Sequence, residues 1–487
     1  MSEIKDIPKH WEIKKLGEVC EITSSRRIFQ EEYVSSGIPF YRTKEVKELS
    51  ENKELSVELF ISNEKYNEIK SKNDVPKIGD ILISAVGTIG ISYIIKDEKS
   101  FYFKDGNLIW LKNLNCIKSK YLNFYLMHFI RFKQEIITSG SAYNALTIVK
   151  LKAFELPLPP LSEQQAIVAK IEELLSELDN GKQQLLTAQQ QLKVYRQSLL
   201  KWAFEGKLTK TWRESKSNLP TANDLLLQIE RGKEIFYQNQ INEWELNLRR
   251  WVDNGQVGKK PSKPKALTCP DKPNVQQNEK KWNIPENWIW SQIGTLCFVT
   301  KLAGFEYTDY VKYDDKGDLP VLKAENVGLL GFKETVFSKV KTESIEMLTR
   351  SQLLGGELII VFVGAGTGNV AMVPFNHKYF LGPNIGMARP YFNINSKYLE
   401  LFYQSTFGKN LMLSAVKAVA QPSLSMGTIR QTPIAFPSIE EQAKIVEELE
   451  SKLTVCDKIE ETISQSLQQA ETLRQSILKK AFEGRLV

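Results

Sequence analysis

The chain has 487 residues, 42% of them hydrophobic and 25% charged, with a formal net charge of +7. This composition suits globular protein of about three domains, and no apolar run approaches the ~18 residues of a membrane span. The charge excess is too small for this length to argue for a polyanionic partner by itself. The opening residues Met1 to Lys5 lack the basic and apolar regions of a signal peptide, so a cytoplasmic location is expected. Cys20, Cys116, Cys269, Cys297 and Cys456 are isolated in sequence, which points away from a disulfide framework and from paired zinc ligands. His10, His128 and His377 are far apart and read as ordinary structural or surface residues.

Taken in order, the chain opens with Ile7-Pro8-x-x-Trp11 and then Leu16-Gly17. Gly79-Asp80 leads into a short apolar strand, Ile81 to Val86. A Gly87-Thr88-Ile89-Gly90 turn and a second strand, Ile91 to Ile95, follow. Residues 120–137 read as helix, with Tyr121, Phe124, Tyr125 and His128 at helical spacing. Pro157-Leu158-Pro159-Pro160 ends the segment, because proline lacks a backbone donor and biases its predecessor towards extension. Ser162 and Gln165 then stand at capping-box spacing, the expected start of a helix.

That helix carries a heptad stripe of Ile167, Ile171, Leu174, Leu178, Leu185, Ala188, Leu192, Tyr195, Leu199 and Trp202. About forty residues of helix span about 60 Å. A narrow stripe on so long a helix calls for one helical partner. Residues 225–251 suggest a further helix, followed by a Pro/Lys stretch from Lys259 to Lys281. That stretch reads as a solvated linker, with contact to phosphates as the alternative.

The second half repeats the first. Ile284-Pro285-x-x-Trp288 echoes Ile7 to Trp11, and Gly356 to Ile360 echoes Gly79 to Ile83, both 277 residues later. Ser396 to Leu399 echoes Ser119 to Leu122 at the same offset. Residues 195–208 and 473–486 are identical at ten of fourteen positions, including Ala203-Phe204-Glu205-Gly206 and Ala481-Phe482-Glu483-Gly484, where chance gives about one. A second stripe places Ile445, Leu449, Cys456, Ile459, Ile463, Ala470, Leu473 and Ile477 in the same register. The two long helices are therefore expected to pair antiparallel as a spacer, rather than each packing on its own module. The glycines at 364, 366 and 368 lie between two strands, which favours a hairpin turn over a dinucleotide site. Between these anchors the halves diverge, as at Ser24 to Tyr33 against Lys301 to Tyr307. Different recognition by the two modules and neutral drift account for this equally well.

Motifs that carry chemistry are missing. There is no P-loop, no N-P-P-[YF] or D-P-P-Y sequence of an amine methylase, and no deaminase or hydrolase spacing. Glu51-Asn52-Lys53 has the E-x-K form of a nuclease tail but no evident partner aspartate. Catalysis by this chain is not expected.

Leu156-Pro157-Leu158-Pro159-Pro160-Leu161-Ser162-Glu163-Gln164-Gln165 with Ile167 to Ile171 resembles the junction of specificity subunits of type I restriction-modification enzymes. Phe436-Pro437-Ser438-Ile439-Glu440-Glu441-Gln442 repeats it, with Ala443 in place of Gln165. The resemblance covers essentially the whole chain. It implies an α+β protein of two target-recognition domains in pseudo-twofold repeat, joined by two long helices in an antiparallel coiled coil. The domains expected are residues 1–160 and 282–438, the spacer helices 161–209 and 439–487, and a helical, basic linker 210–281. Each module would read half of a split site on double-stranded DNA. Two modification (methyltransferase) subunits would supply S-adenosylmethionine and adenine N6-methylation, and a restriction (motor-nuclease) subunit ATP- and Mg-dependent translocation and cleavage. No cofactor, metal or membrane is implied for this chain. The rival class is a structural adaptor with two protein-binding modules.

Bases are read by Arg or Lys at guanine and by Asn or Gln at adenine, with Ser/Thr on phosphates. On that chemistry the candidate DNA contacts of the first module are Arg26, Arg27, Tyr41, Arg42, Lys44, Ser141, Tyr143 and Asn144. Those of the second are Lys301, Tyr307, Lys323, Asn326, Gln421 and Ser423.

Overall fold

The computed structural model describes residues 7–72, 74–113, 115–132, 145–258, 260–266, 284–375, 377–414 and 423–487. The chain forms two compact units. One comprises Met1–Ala188 with Thr462–Val487, and the other Gln189–Glu461.

In the first unit a four-stranded antiparallel sheet runs in the order Cys20–Thr23, Leu108–Asn113, Ile81–Ser84, Ser92–Ile94. Successive side chains of a strand point to opposite faces, and the sheet divides two cores on that principle. Ile81 and Ile83 pack with Tyr121, Tyr125, Ile167 and Ile171, while Leu82 packs with Tyr41, Phe103 and Trp110. A second sheet joins Tyr33–Val34, Phe60–Ile61, Ile38–Tyr41 and Tyr102–Phe103, with Phe40 and Tyr102 in a parallel pair. The second unit repeats the design. Its main sheet is Cys297–Lys301, Ile385–Pro390, Leu358–Val361, Val370–Met372, in the same order. Leu358 and Ile360 face one core, Ile359 and Val361 the other.

In both units the module's two ends are tied together. Glu12–Lys15 pairs antiparallel with Glu155–Leu158, and Ile289–Gln292 with Pro433–Phe436. This brings the opening Ile-Pro-x-x-Trp beside the start of a long helix. Trp11 Nε1 donates to Glu163, and Trp288 Nε1 to Glu441. Gln164 and Gln442 do the same work in each copy. Their amide groups donate to Pro159 O and Pro437 O and accept from the N–H of Lys118 and Asn395.

The long helices span Leu161–Phe204 and Ile439–Phe482. Ser438 precedes the second as its cap, accepting the amide of Glu441. In the first, the corresponding residue is Pro160, which accepts the amide of Gln164. Ser162 therefore lies inside the first turn, and the capping box expected there is not used.

Each unit holds an antiparallel pair of helix segments. In the first, Phe482 stacks edge-on against Tyr121 and Tyr125. Their hydroxyls bond Pro157 O and Glu155 O, just ahead of the first long helix. Arg474 pairs with Asp179 further along. In the second, Phe204 stacks on Tyr398 and Phe402, Tyr398 donates to Ala435 O, and Arg196 pairs with Asp457 and Glu460.

The repeated Ala-Phe-Glu-Gly is thus a plug, and its glycine is obligatory. Gly206 and Gly484 adopt φ of +69° and +68°. A Cβ there would approach Pro285 to 2.3 Å and Pro8 to 2.4 Å.

Of the expected stripe, Ile167, Ile171, Leu192, Leu199, Ile445, Leu449, Ile463 and Ile477 are buried, and Leu174, Leu178 and Leu185 half-buried. Ile459 and Leu473 are instead exposed, as are Tyr195 and Trp202. The reason lies in the register. The contact near Leu473 is made by the next residue, Arg474, and that near Tyr195 by Arg196. A 3.6-residue turn drifts against a strict heptad.

The helix Ala222–Asp253 belongs to the second unit. It buries Ala222, Leu225 and Ile229, and Phe236 packs on Phe298 and Tyr391.

Candidate nucleic-acid interface

The loops at one end of each main sheet carry the first group of candidates. In the first unit the strand Cys20–Thr23 runs into Arg26 and Arg27, whose side chains are 50% and 69% exposed. The Arg26 amide donates to Tyr102 Oη, and its Nε bonds Asp74 at 2.6 Å. Arg27 Nε bonds Asp105 at 3.0 Å. Each guanidinium is thus oriented by a carboxylate through Nε.

In the second unit Lys301 ends the corresponding strand. Its ammonium lies 4.8 Å from the Phe362 ring centre. Phe362 is held from both sides, its amide donating to Asn384 O and its carbonyl accepting from Leu424. Ser423 is exposed and bridges to Val363. The same backbone joint occurs in the first unit, where Ala85 donates to Asn107 O and accepts from Leu146. Gly364 and Gly368, at φ of +106° and +84°, turn the chain between the antiparallel strands Leu358–Val361 and Val370–Met372, so the glycine run is a hairpin turn.

The second group follows the strand Ile38–Tyr41 and its counterpart Leu319–Leu322. Tyr41 is buried and stacked on Phe101 at 4.5 Å, and burial pushes its hydroxyl up to about 12. It is a core residue, so this candidate DNA contact lies inside the module rather than on its surface. Arg42 is half-buried and bonds the buried Glu45 through both Nε and Nη2, with Glu58 as a third contact. Hydrogen bonds to Glu45 are the first cause raising its pKa. Lys44 bonds Glu58 at 2.5 Å and is partly exposed. Asp105, the partner of Arg27, and Arg42 act in opposite senses on Tyr33, whose pKa is raised chiefly by burial, so these charges share one neighbourhood.

Lys323 occupies the equivalent of Arg42. The Lys323 amide donates to Asn326 Oδ1 as the Arg42 amide donates to Glu45. Asn326 is buried, and its Nδ2 bonds Lys333 O and Thr335 Oγ1. All its polar atoms serve this loop, so this candidate DNA contact lies inside the module rather than on its surface. The Lys323 ammonium bonds Ser338 at 2.6 Å and lies 4.6 Å from the Tyr313 ring centre. Tyr307 reaches Tyr313 through its hydroxyl at 3.3 Å. Tyr313, missed in the sequence, is what unites Tyr307 and Lys323. Its one sequence signal is position, six residues after Tyr307. Burial and the Tyr307 hydrogen bond raise its pKa. Ser141, Tyr143, Asn144 and Gln421 lie outside the described residues.

Exposed guanidinium and ammonium groups beside aromatic rings, on loops over a rigid sheet, are suited to holding an anionic polymer. Among the described residues no His/Cys/Asp/Glu group is placed to hold a metal ion, and no helix is long and apolar enough to cross a membrane.

This arrangement is a duplicated scaffold of sheet, joint and plug, and comparison with known proteins identifies its family. The family model described as the type I restriction modification DNA specificity domain matches residues 8–188 and again 285–469. The chain belongs to this family and carries the domain twice. It is 24% identical over 362 residues to the EcoKI specificity subunit of Escherichia coli K12, covering 73% of this chain and 63% of that protein. It is 24% identical to the Escherichia coli EcoBI specificity subunit, covering 72% and 62%. A putative specificity subunit of Haemophilus influenzae, S.HindORF215P, is 34% identical over 194 residues, 39% of this chain and 48% of its own length. The match therefore spans less than two thirds of the two Escherichia coli relatives.

Among solved structures, a chain from a study of type I R-M complex assembly superposes with a TM-score of 0.64 at 16% identity, covering 98% of this chain and 99% of its own. The HsdS subunit from Thermoanaerobacter tengcongensis superposes with a TM-score of 0.55 at 16% identity, covering 98% of each. These likenesses establish the fold: an α+β chain in which a sheet-bearing domain followed by a long helix occurs twice.

Proposed function

We propose that this chain is the DNA-reading subunit of a type I restriction-modification complex. Residues 1–160 and 282–438 each read one half of a split target. The helices 161–209 and 439–487 set the gap between the halves, since half-site spacing follows from the separation of rigidly held readers. The segment 210–281 links the two. The observation that carries this reading is the pairing of a repeated scaffold with unlike loops. Two copies keep the same sheet, joint and plug, yet present Arg26 and Arg27 in one and Lys301, Phe362 and Ser423 in the other. Such loops on a shared frame suit two different half-sites better than drift alone.

The readers proposed are Arg26, Arg27 and Lys44 in the first module and Lys301, Tyr307, Lys323 and Ser423 in the second. Ser141, Tyr143, Asn144 and Gln421 remain candidates from their sequence. The chain does no chemistry itself. It works in the cytoplasm, with two modification subunits bringing S-adenosylmethionine to the flipped adenine and a restriction subunit using ATP and Mg.

The test is methylome sequencing of a host expressing this chain with its modification subunit. A new methylated motif in two parts with a fixed gap is expected. Absence of any new motif from an active complex refutes the proposal. An adaptor that binds only proteins would also lack the steep salt dependence of DNA binding.

A further inference from the structure

The helix Ala222–Asp253 starts against the second module and ends away from its core. Leu246 and Val252 are exposed near its end, in contrast to the buried Ala222, Leu225 and Ile229. The helix closes in a tight reversal. Gly255, Gln256 and Gly258 take φ of +69°, +61° and +87°. The Gly255 and Gln256 amides donate back to Val252 O and Trp251 O.

The chain then returns along the helix. Trp251 Nε1 donates to Gly258 O at 3.1 Å, and Trp244 Nε1 to Pro261 O at 3.0 Å. The two indoles are two helical turns apart, about 10 Å along the axis. Lys263 completes the clamp, its ammonium 5.6 Å from the Trp244 ring centre.

The result is a strap held on the indole face that presents the exposed Lys260, Lys263 and Lys265, on a helix whose last turns carry the exposed Arg249 and Arg250. Residues 246–266 contain six cations and a single carboxylate, Asp253. A tether between modules needs length alone. Fixing the lysines with two indole hydrogen bonds and a cation–π contact instead pre-organises a row of positive charge. Its natural complement is a regular row of anions. A nucleic-acid strand offers one phosphate per ~3.4 Å of duplex axis.

We propose that this strap and the distal turns of its helix form a second DNA contact, to backbone phosphates, outside both recognition modules. The inference rests on the reading of the chain as a DNA-binding subunit. Contacts of this kind supply affinity and position, without sequence choice.

The full-length chain is titrated with fluorescent duplexes, one of arbitrary sequence and one bearing the methylome-defined target, over a series of potassium chloride concentrations. The variant Arg249→Ala/Arg250→Ala/Lys263→Ala/Lys265→Ala is compared with wild type, with thermal unfolding as a check that the fold is kept. The slope of log affinity against log salt is expected to fall by about two to four, at roughly 0.9 per lost phosphate contact. Affinity should drop by the same factor on both duplexes. Trp251→Ala keeps every charge but frees the reversal, and should lose affinity a few-fold on both. Wild-type affinity and slope in both variants overturn the proposal, and so does loss of an acidic protein partner with DNA binding unchanged. If wild type itself binds neither duplex, the DNA-binding reading fails, a result distinct from failure of the strap.

Discussion

Arg42 has the chemistry of a guanine reader, but its guanidinium is committed to the fold. Its two nitrogens on Glu45 compensate a carboxylate buried under the first turn of the helix Thr43–Ser50. Removing one partner of such a pair leaves an unpaired buried charge, which is more costly than the pair is favourable. Arg42→Ala is expected to destabilise the first module by about 2–3 kcal/mol, a discount on the fully buried case because Arg42 reaches solvent. A shift in the urea midpoint reads this directly. Arg42→Lys should recover only part, since an ammonium cannot make the forked contact. Arg27, 69% exposed and paired through Nε to Asp105, is the contrasting case. Its alanine variant should stay within about 0.5 kcal/mol of wild type while weakening DNA binding. An unmoved midpoint for Arg42→Ala, with altered base preference, would reverse the two roles.

At the scale of elements, the joint between module and long helix is built around one glutamate per copy, and the two copies differ in how tightly they hold it. Glu441 is buried and accepts from Trp288, Asn287, Thr209 and Arg213. Glu163 accepts from Trp11 and the exposed His10. Glu441→Ala strands several donors, including a guanidinium, and should cost about 3 kcal/mol. Hydrogen exchange at the start of the helix Ile439–Phe482 should speed up accordingly, and by less at Leu161–Phe204 in Glu163→Ala. Equal effects would mean that the extra donors contribute nothing.

The sequence displayed the parts of this joint without their contact. Ile-Pro-x-x-Trp, the proline junction and Ala-Phe-Glu-Gly were all visible as repeats, because each is dictated locally by a cap, a turn or a helix end. That Pro8 meets Gly484 and Pro285 meets Gly206 is a long-range fact that no local pattern encodes. The same limit explains the stripe. Periodicity identified its centre at Ile167, Ile171, Ile445 and Leu449, but Tyr195, Ile459 and Leu473 turn outward where ion pairs fix the register. For the candidate site, residue type alone ranked Tyr41 and Asn326 with Arg26 and Lys301. Only burial separates the first two from the others.

For the whole molecule, duplication makes recognition separable. Each unit has its own divided core, its own tied ends and its own plug. A substitution in the loops of one unit is therefore expected to leave the packing of the other unit's core as it is. Lys301 tests this. It sits at the end of a strand, with its ammonium over Phe362, and its removal leaves the sheet pairing of Cys297–Lys301 with Ile385–Pro390 intact. A single base contact is worth about 1–3 kcal/mol of discrimination. Lys301→Ala, assayed by methylome sequencing, should relax one position in one half of the motif by roughly ten- to a hundredfold, leaving the other half and the gap as they were. An unchanged motif would remove Lys301 from the readers. Relaxation in both halves, or a changed gap, would show that the two modules do not read independently, and the functional meaning given to the duplication would fall with it.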